Sequence, residues 1–321
     1  MKLPVLVLVG PTAVGKTAIS VAVAKRLGAE IISGDSMQVY RGMDIGTAKI
    51  TKEEMQGVPH HMIDIKDPDE PFTVAEFQQR ADQLIREIVA RGRLPMLVGG
   101  TGLYIRAVLE PYTFIPMKAD PELRRRLAEE EERYGPGHLH RRLQEVDPVA
   151  AAKLHPNDLR RIIRALEVFL QTGTPISATQ TAAGKEPRYD DLFLGLTMER
   201  SLLYRRIEER VDRMIAAGWL EEVRRLLERY PPHLPAMQAL GYRELVQYYR
   251  GLLTLPEAIS LIKRNTRRYA KRQFTWFRRE RRLQWIDVTS QTPEMVVEAI
   301  AKMAEGKWPR GVEGLSHDGQ Q

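Results

Sequence analysis

The chain has 321 residues with no cysteine and a formal net charge of +7 at pH 7, and its length permits one large or two modest domains with a substantial core. The lack of cysteine excludes disulfides, thiolate metal ligands and a cysteine nucleophile, and no apolar run approaches the ~18–20 residues of a membrane span, so we predict a cytoplasmic protein. The excess of basic residues favours a polyanionic partner.

An apolar segment over residues 3–9 leads directly into a phosphate-loop motif. The pattern G-x-x-x-x-G-K-[ST] is matched by Gly10, Pro11, Thr12, Ala13, Val14, Gly15, Lys16 and Thr17. The apolar run predicts a strand buried on both faces, and residues 17–27 repeat apolar side chains at helical spacing up to Gly28. We therefore predict that backbone N–H groups hold a di- or triphosphate, that Lys16 reaches its terminal phosphate and that the Thr17 hydroxyl holds Mg²⁺.

A second strand that ends in a turn is predicted over residues 29–35, and Asp35, Ser36, Met37 and Gln38 lie at its carboxyl end. Ligands of open α/β sheets bind beyond the carboxyl ends of the strands. Asp35 is therefore expected to face whatever reacts with the bound phosphoryl compound. The alternative is an aspartate that caps the next turn.

The next segments continue the alternation of strands and helices. We predict a short strand over residues 58–64, a helix over 74–91 and a buried strand over 94–100. His60 and His61 are neighbours on the short strand and point to opposite faces, so we do not expect them to share a metal ion. The three glycines around Thr101 indicate either close approach of a ligand to the backbone or a tight strand-to-helix turn. The alternation predicts a parallel sheet flanked by helices.

From residue 113 the strand pattern stops and charged helices follow. We predict a helical insertion over residues 113–188 within an α/β core of residues 1–112 and 189–308, and a frayed tail over 309–321. Arg160, Arg161 and Arg164 lie at three- and four-residue spacing on one helix of the insertion. An ordinary solvated face and a phosphate-binding face explain this spacing equally well.

A dense basic stretch follows the return strand at residues 193–196 and two further helices. Ten basic residues and one acid, Glu280, lie between residues 263 and 282, with aromatic residues interleaved. Aromatic residues at helical spacing are more typical of a core. The cations form the kind of field that binding to a phosphate backbone requires.

The residues alone leave three hypotheses. The first is a kinase with ATP in the loop and Asp35 as base for the hydroxyl of a nucleoside or small metabolite. The second is an RNA-modifying transferase whose loop holds an activated donor. The third is a nucleic-acid-binding ATPase, which would need an aspartate after a long apolar strand, and only Asp35 and Asp64 come close to that position. The basic stretch favours an RNA acceptor.

Taken in order, these motifs resemble those of the tRNA dimethylallyltransferases, also called tRNA isopentenyltransferases, over residues 3–285. Besides the phosphate loop, the resemblance rests on residues 34–40, 58–64, 99–105, 155–158, 238–242 and 271–273. Residues 35–38 and 99–102 are its most specific part, because the phosphate loop alone occurs in many unrelated nucleotide-binding proteins.

The resemblance implies a P-loop kinase-like parallel sheet with a helical insertion that grips the anticodon stem-loop of tRNA. It implies that dimethylallyl diphosphate is the donor, with its diphosphate in the phosphate loop. The acceptor would be N6 of the adenosine 3′ of the anticodon in tRNAs that read codons beginning with U. We expect a monomer with Mg²⁺ as its cofactor.

The resemblance also implies roles for individual residues. Asp35 would be the general base, with Lys16 and Thr101 as further catalytic residues. The tRNA would be contacted by Asp35, Ser36, Met37, Gln38, Thr101, Arg160, Arg161, Ile162, Ile163 and Arg164.

Overall fold

The computed structural model describes residues 2–111, 117, 119–179 and 186–309. These residues form two compact units. The first joins the chain up to Leu109 with the chain from Pro187 onward, and the second spans Glu110–Glu186. Of the tail predicted to fray, residues 310–321 lie outside the described residues.

A six-stranded parallel sheet with the order β3-β2-β4-β1-β5-β6 forms the first unit. The strands are β1 (Pro4–Val9), β2 (Ala29–Ser33), β3 (His60–His61), β4 (Leu94–Gly99), β5 (Asp190–Thr197) and β6 (Gln284–Asp287). The helices of this unit are α1 (Lys16–Leu27), α2 (Lys52–Met55), α3 (Val74–Ala90), α4 (Gly102–Leu109), α10 (Arg200–Ala216), α11 (Trp219–Leu227), α12 (Tyr242–Tyr249), α13 (Leu255–Phe277) and α14 (Pro293–Lys307). The predicted α/β class is confirmed.

The central strand β1 is apolar throughout because both faces of the sheet are covered by helices. Leu6 and Leu8 pack into a cluster with residues of α1 and α14, whereas Val5, Val7 and Val9 pack into one with residues of α3 and α4. All six residues of β1 are buried. A strand buried on both faces needs an unbroken apolar run, which is the pattern the sequence shows.

Three loops meet at the carboxyl edge of this sheet. Strand β4 lies between β2 and β1, and all three run parallel. The phosphate loop after β1, Asp35 after β2 and Thr101 after β4 are therefore delivered to one edge. The site is assembled by this strand order.

Two predictions about strands were incomplete. The strand expected over residues 58–64 is reduced to His60 and His61, because Met62 and Asp64 adopt φ values of 68° and 53° that no strand accommodates. Strand β6 was not predicted, since it has four residues and both of its ends are exposed. Short edge strands leave little periodic signal.

The second unit consists of short helices around its own apolar core. They are α5 (Pro121–Tyr134), α6 (His138–Val146), α7 (Pro148–Ala151), α8 (Leu159–Thr172) and α9 (Ile176–Thr179). Its core contains Leu127, Leu139, Leu143 and Ile162. The buried carboxylate of Glu167 accepts hydrogen bonds from Arg124 and Arg164 and therefore ties α5 to α8. None of the helices in the described ranges of either unit is long and apolar enough to cross a membrane.

Candidate active site

The phosphate loop curves between β1 and α1 with its backbone turned inward. Ala13 and Gly15 adopt φ values of 66° and 103°, and Gly15 caps the N-terminus of α1. Residues with positive φ at such positions turn successive backbone N–H groups toward one point, and these groups form a concavity for anions. The Lys16 ammonium folds onto the first part of the loop, where it donates to the carbonyls of Gly10 and Pro11 at 2.9 and 2.8 Å.

The electrostatic environment of Lys16 favours its neutral form. Burial and, to a smaller extent, the nearby Arg210 guanidinium lower the pKa of Lys16 to about 7, while Asp35 acts in the opposite direction. A bound anion would stabilise the charged ammonium and raise this pKa again. Lys16 is therefore arranged to gain charge when phosphate arrives.

Asp35 is a cap, which is one of the two alternatives that the sequence left open, and it also lines a cavity. Its Oδ1 accepts hydrogen bonds from the backbone N–H groups of Met37 and Gln38 at 2.8 and 3.3 Å, so the carboxylate caps the turn that follows β2. The residue also lines the cavity beside the phosphate loop. The two hydrogen bonds fix the position of one carboxylate oxygen.

The turn that carries Thr101 contacts both Asp35's segment and α13. Thr101 Oγ1 accepts the backbone N–H of Ser36 at 3.3 Å. A Cβ on Gly100 would lie 2.1 Å from the Gln273 amide nitrogen, and one on Gly102 would lie 2.2 Å from the Trp276 ring. Of the two alternatives for these glycines, the contacts of Gly100 and Gly102 are those of a tight turn that makes room for α13.

A cavity of about 320 Å³ opens beside the loop. Thr12, Asp35 and Ser36 supply polar groups to its lining. Arg210, Arg243 and Arg272 add positive charge, and Ile207, Val211, Met214 and Leu240 form an apolar wall. The cavity can therefore hold an anionic group and a small apolar group next to each other.

Four residues at this site were not assigned from the sequence: Arg210 on α10, and Tyr269, Arg272 and Gln273 on α13. Arg210 Nη1 donates to Thr12 Oγ1 at 3.2 Å. Gln273 accepts the Thr12 N–H at 2.9 Å and donates to the Gly100 carbonyl at 3.0 Å. Burial raises the pKa of Tyr269, which also contacts Thr101 and Gln273. Only the run at residues 271–273, already part of the resemblance, gave any signal.

The remaining predicted site residues have the following contacts. The Gln38 side chain contacts Ser33 and the Thr47 and Ala48 carbonyls, so it supports the turn. Arg160 and Arg161 are exposed on α8, and Ile163 is partly buried there. Ile162 is fully buried in the core of the second unit, which removes its side chain from contact with a partner. Arg164 pairs with Glu167 at 2.7 Å.

The predicted basic stretch divides into paired and exposed cations. Lys263 pairs with Asp212, Arg267 with Glu208, and Arg282 with Asp191. The exposed cations are Arg264, Arg268, Lys271, Arg272, Arg278, Arg279 and Arg281. Phe277 belongs to the core as expected for an interleaved aromatic residue, whereas Trp276 is exposed. The helix thus keeps a positively charged outer surface.

The histidine pair has separate contacts. His61 Nε2 lies 2.7 Å from the Glu30 carboxylate, and His60 Nδ1 lies 2.8 Å from the Val58 carbonyl oxygen. Both histidines therefore have partners within the sheet and its flanking turn.

A parallel sheet with a phosphate loop at its central strand, and with a carboxylate and a hydroxyl beside that loop, defines an α/β protein of the phosphate-loop class that acts on a phosphorylated compound. A family model described as IPP transferase matches residues 38–280. The chain belongs to this family, as the resemblance predicted.

Individual relatives agree with this assignment. A tRNA dimethylallyltransferase from Symbiobacterium thermophilum is 74% identical over 310 residues, which are 96% of this chain and 97% of the relative. The crystal structure of a full-length tRNA isopentenylpyrophosphate transferase from Bacillus halodurans is 50% identical, with a TM-score of 0.73 over 98% of this chain and 100% of its own.

A structure with lower sequence identity is that of a eukaryotic dimethylallyltransferase acting on tRNA. It is 30% identical, with a TM-score of 0.80 over 95% of this chain and 79% of its own. These comparisons support the transferase hypothesis and give no support to the kinase alternative.

Proposed function

We propose that this protein transfers a dimethylallyl group from dimethylallyl diphosphate to N6 of the adenosine that follows the anticodon, in tRNAs that read codons beginning with U. One observation carries the proposal. In a chain of the IPP transferase family, the phosphate loop and Asp35 open into one cavity, and Thr101 is hydrogen-bonded beside Asp35. Donor and acceptor groups can therefore meet there.

The donor's diphosphate lies in the phosphate loop. Backbone N–H groups of the loop and the N-terminus of α1 stabilise its oxygens, and Lys16 becomes charged as it binds. As the allylic C–O bond breaks, negative charge grows on the leaving diphosphate. The same groups stabilise that charge, which lowers the barrier.

Mg²⁺ fits this site as a cofactor held mainly by the substrate. The described residues contain no cluster of three or more His, Cys, Asp or Glu that could form a metal cage of protein ligands. Mg²⁺ commonly binds through substrate phosphates, water and one or two protein oxygens. The Thr17 hydroxyl at the start of α1 would supply such an oxygen, and the ion would neutralise phosphate charge.

Asp35 acts on the acceptor. The exocyclic N6 amine is a weak nucleophile, and a carboxylate in hydrogen-bond reach accepts its proton as the new C–N bond forms. The hydrogen bonds from Met37 and Gln38 fix the direction of the carboxylate. Thr101, which holds the Ser36 backbone, lines the approach of the adenine.

The cavity also suits the allyl group. Ile207, Val211, Met214 and Leu240 form an apolar wall next to the polar loop. A five-carbon group buries its surface there, and the burial of each CH₂ contributes about 0.8 kcal/mol. The apolar wall thereby directs the reactive carbon away from bulk water.

The acceptor must be a base that leaves its stack, because a base held between its neighbours cannot enter a cavity beside the phosphate loop. A single-stranded anticodon loop permits this at low cost. The exposed cations of α13 and Arg160 and Arg161 of α8 would contact tRNA phosphates. The proposal implies a cytoplasmic enzyme, and we expect it to act as a monomer.

The test is nucleoside mass analysis of tRNA from cells with and without the gene. N6-isopentenyladenosine should be present with the gene, absent without it, and restored by a plasmid copy of the native chain. A copy with Asp35→Asn should restore little. An unchanged nucleoside profile in the cells that lack the gene would contradict the proposal.

A further inference from the structure

The first part of the phosphate loop offers few hydrogen-bond donors to a ligand. Pro11 has no backbone N–H. The Thr12 N–H donates to Gln273 Oε1 at 2.9 Å, and Thr12 Oγ1 accepts from Arg210 at 3.2 Å. Residues 13–17 form the remainder of the loop. Among the backbone donors of the loop, only the N–H groups of those residues therefore remain for phosphate oxygens.

Gln273 is held in place on its other side. Its amide nitrogen donates to the Gly100 carbonyl at 3.0 Å, and the residue is 6% exposed. The amide approaches so closely that a Cβ on Gly100 would lie 2.1 Å from it. Rotating the amide away from Thr12 would leave buried polar groups unpaired, which is costly. The Thr12 N–H is therefore permanently occupied.

We propose that Gln273 restricts this loop to a diphosphate by occupying the donor that a third phosphate would need. A triphosphate extends along such a loop, with the lysine between its terminal phosphates. On the Thr12 side, a third phosphate would meet the Gln273 amide oxygen, whereas the carbonyls of Gly10 and Pro11 are already engaged by the Lys16 ammonium. The amide oxygen is an acceptor, and it repels phosphate oxygens.

This inference rests on the proposed function, because it explains how a complete nucleotide-type motif comes to serve a prenyl diphosphate. It assigns donor selection to a side chain 261 residues from Thr12 in the chain. The phosphate-loop motif alone does not explain the preference for a diphosphate over a triphosphate.

The test is calorimetric titration of the full-length chain with inorganic diphosphate and with inorganic triphosphate, each in the presence of Mg²⁺. The native chain should bind diphosphate more tightly. Gln273→Ala frees the Thr12 N–H and opens space, so its preference for diphosphate should fall about tenfold, the usual effect of one hydrogen bond to a charged group.

Gln273→Met provides a second variant that retains the buried volume and also frees the N–H. Its flexible side chain can move aside, so its preference should shift in the same direction. The matched control is Gln78→Ala, which removes an amide that donates to the Ala107 carbonyl at 2.6 Å. Its preference should equal that of the native chain.

The inference would be overturned if the native chain bound the two anions with equal affinity. It would also be overturned if a folded Gln273 variant kept the native ratio of diphosphate to triphosphate affinity. Neither result depends on prenyl transfer. Failure of the proposed function would appear separately, as an absence of isopentenyladenosine in tRNA while the diphosphate preference and its loss remained.

Discussion

At the residue scale, Asp35 caps its own turn and is also the proposed general base, and the choice of substitution must separate the two. Alanine would remove the hydrogen bonds to the N–H groups of Met37 and Gln38. Asparagine keeps an oxygen for those bonds but cannot accept the proton of N6. We expect Asp35→Asn to lower the single-turnover rate on an anticodon stem-loop by ~10²–10⁴, the range for removal of a general base.

The affinity of Asp35→Asn for the stem-loop should change far less than its rate. Asp67→Asn is the control, since Asp67 is a surface carboxylate paired with Arg41. A near-normal single-turnover rate in Asp35→Asn would refute the assignment of the base.

Lys16 predicts a pH dependence of donor binding. In the free protein its pKa is lowered to about 7, chiefly by burial, so above pH 7 the amine is mostly neutral. A bound diphosphate favours the ammonium and raises the pKa. Binding above pH 7 should therefore take up a proton, and the affinity should fall as the pH rises, by up to about tenfold per pH unit.

Proton uptake is measurable by calorimetry at pH 8 in buffers with different ionisation enthalpies. Lys16→Met removes the titrating amine but leaves the titration of diphosphate itself unchanged. The native chain should take up more protons than Lys16→Met. Equal uptake by the two proteins would mean that the protonation state of Lys16 does not change on binding, and would contradict the prediction.

At the scale of elements, the contact of α13 with the turn before α4 determines the geometry of the site. Gly102 leaves no room for a Cβ, which would lie 2.2 Å from the Trp276 ring. We expect Gly102→Ala to destabilise the fold by about 1–3 kcal/mol through overpacking. It should also slow transfer, because Thr101 lies in the same turn.

Thermal unfolding and single-turnover rates test this contact together. Gly306→Ala in α14 is the matched control, because a Cβ there meets nothing within 4 Å. Alanine favours a helix over glycine by up to about 1 kcal/mol, so this control should be neutral or stabilising. Loss of stability in both variants would locate the effect outside the contact with Trp276.

The outer surface of α13 predicts how tRNA affinity depends on salt. Phosphate contacts make the logarithm of affinity fall linearly with the logarithm of salt concentration, by ~0.7–0.9 per phosphate neutralised. Arg268 and Lys271 are exposed, whereas Arg267 is engaged by Glu208. A double Arg268→Gln, Lys271→Gln change should therefore flatten the slope by about one to two units.

The control for this slope is a double Arg26→Gln, Lys302→Gln change, which removes the same charge from α1 and α14. Affinities are measured by filter binding of a tRNA across a range of salt concentrations. Equal flattening by the two double variants would mean that net charge, and not the α13 surface, sets the slope.

At the scale of the whole molecule, the sequence predicted those elements whose apolar residues follow a clear strand or helix pattern. The strand at residues 4–9, the phosphate loop and the helix up to Gly28 were all readable, because burial on both faces and helix capping leave strong local signals. Strand β6 and helix α14 were missed. The four residues of β6 lie at the sheet edge, where little periodicity develops.

The sequence predicted the part of the site that the loops after the strands supply, but not the part that α10 and α13 supply. Asp35 and Thr101 follow strands, so their place at the carboxyl edge follows from the parallel sheet. Arg210 and Gln273 reach Thr12 across 198 and 261 residues. Nothing in their local sequence marks these contacts, which arise only when α10 and α13 pack against the sheet.

The proposed function requires that the phosphate loop binds an allylic diphosphate where the loop of a kinase would bind ATP. Its most direct test is the mass of an anticodon stem-loop incubated with the native chain, Mg²⁺ and one donor at a time. We expect the stem-loop to gain one prenyl group with dimethylallyl diphosphate alone and to gain nothing with ATP alone. Release of phosphate from ATP without any prenyl gain from the allylic donor would contradict it.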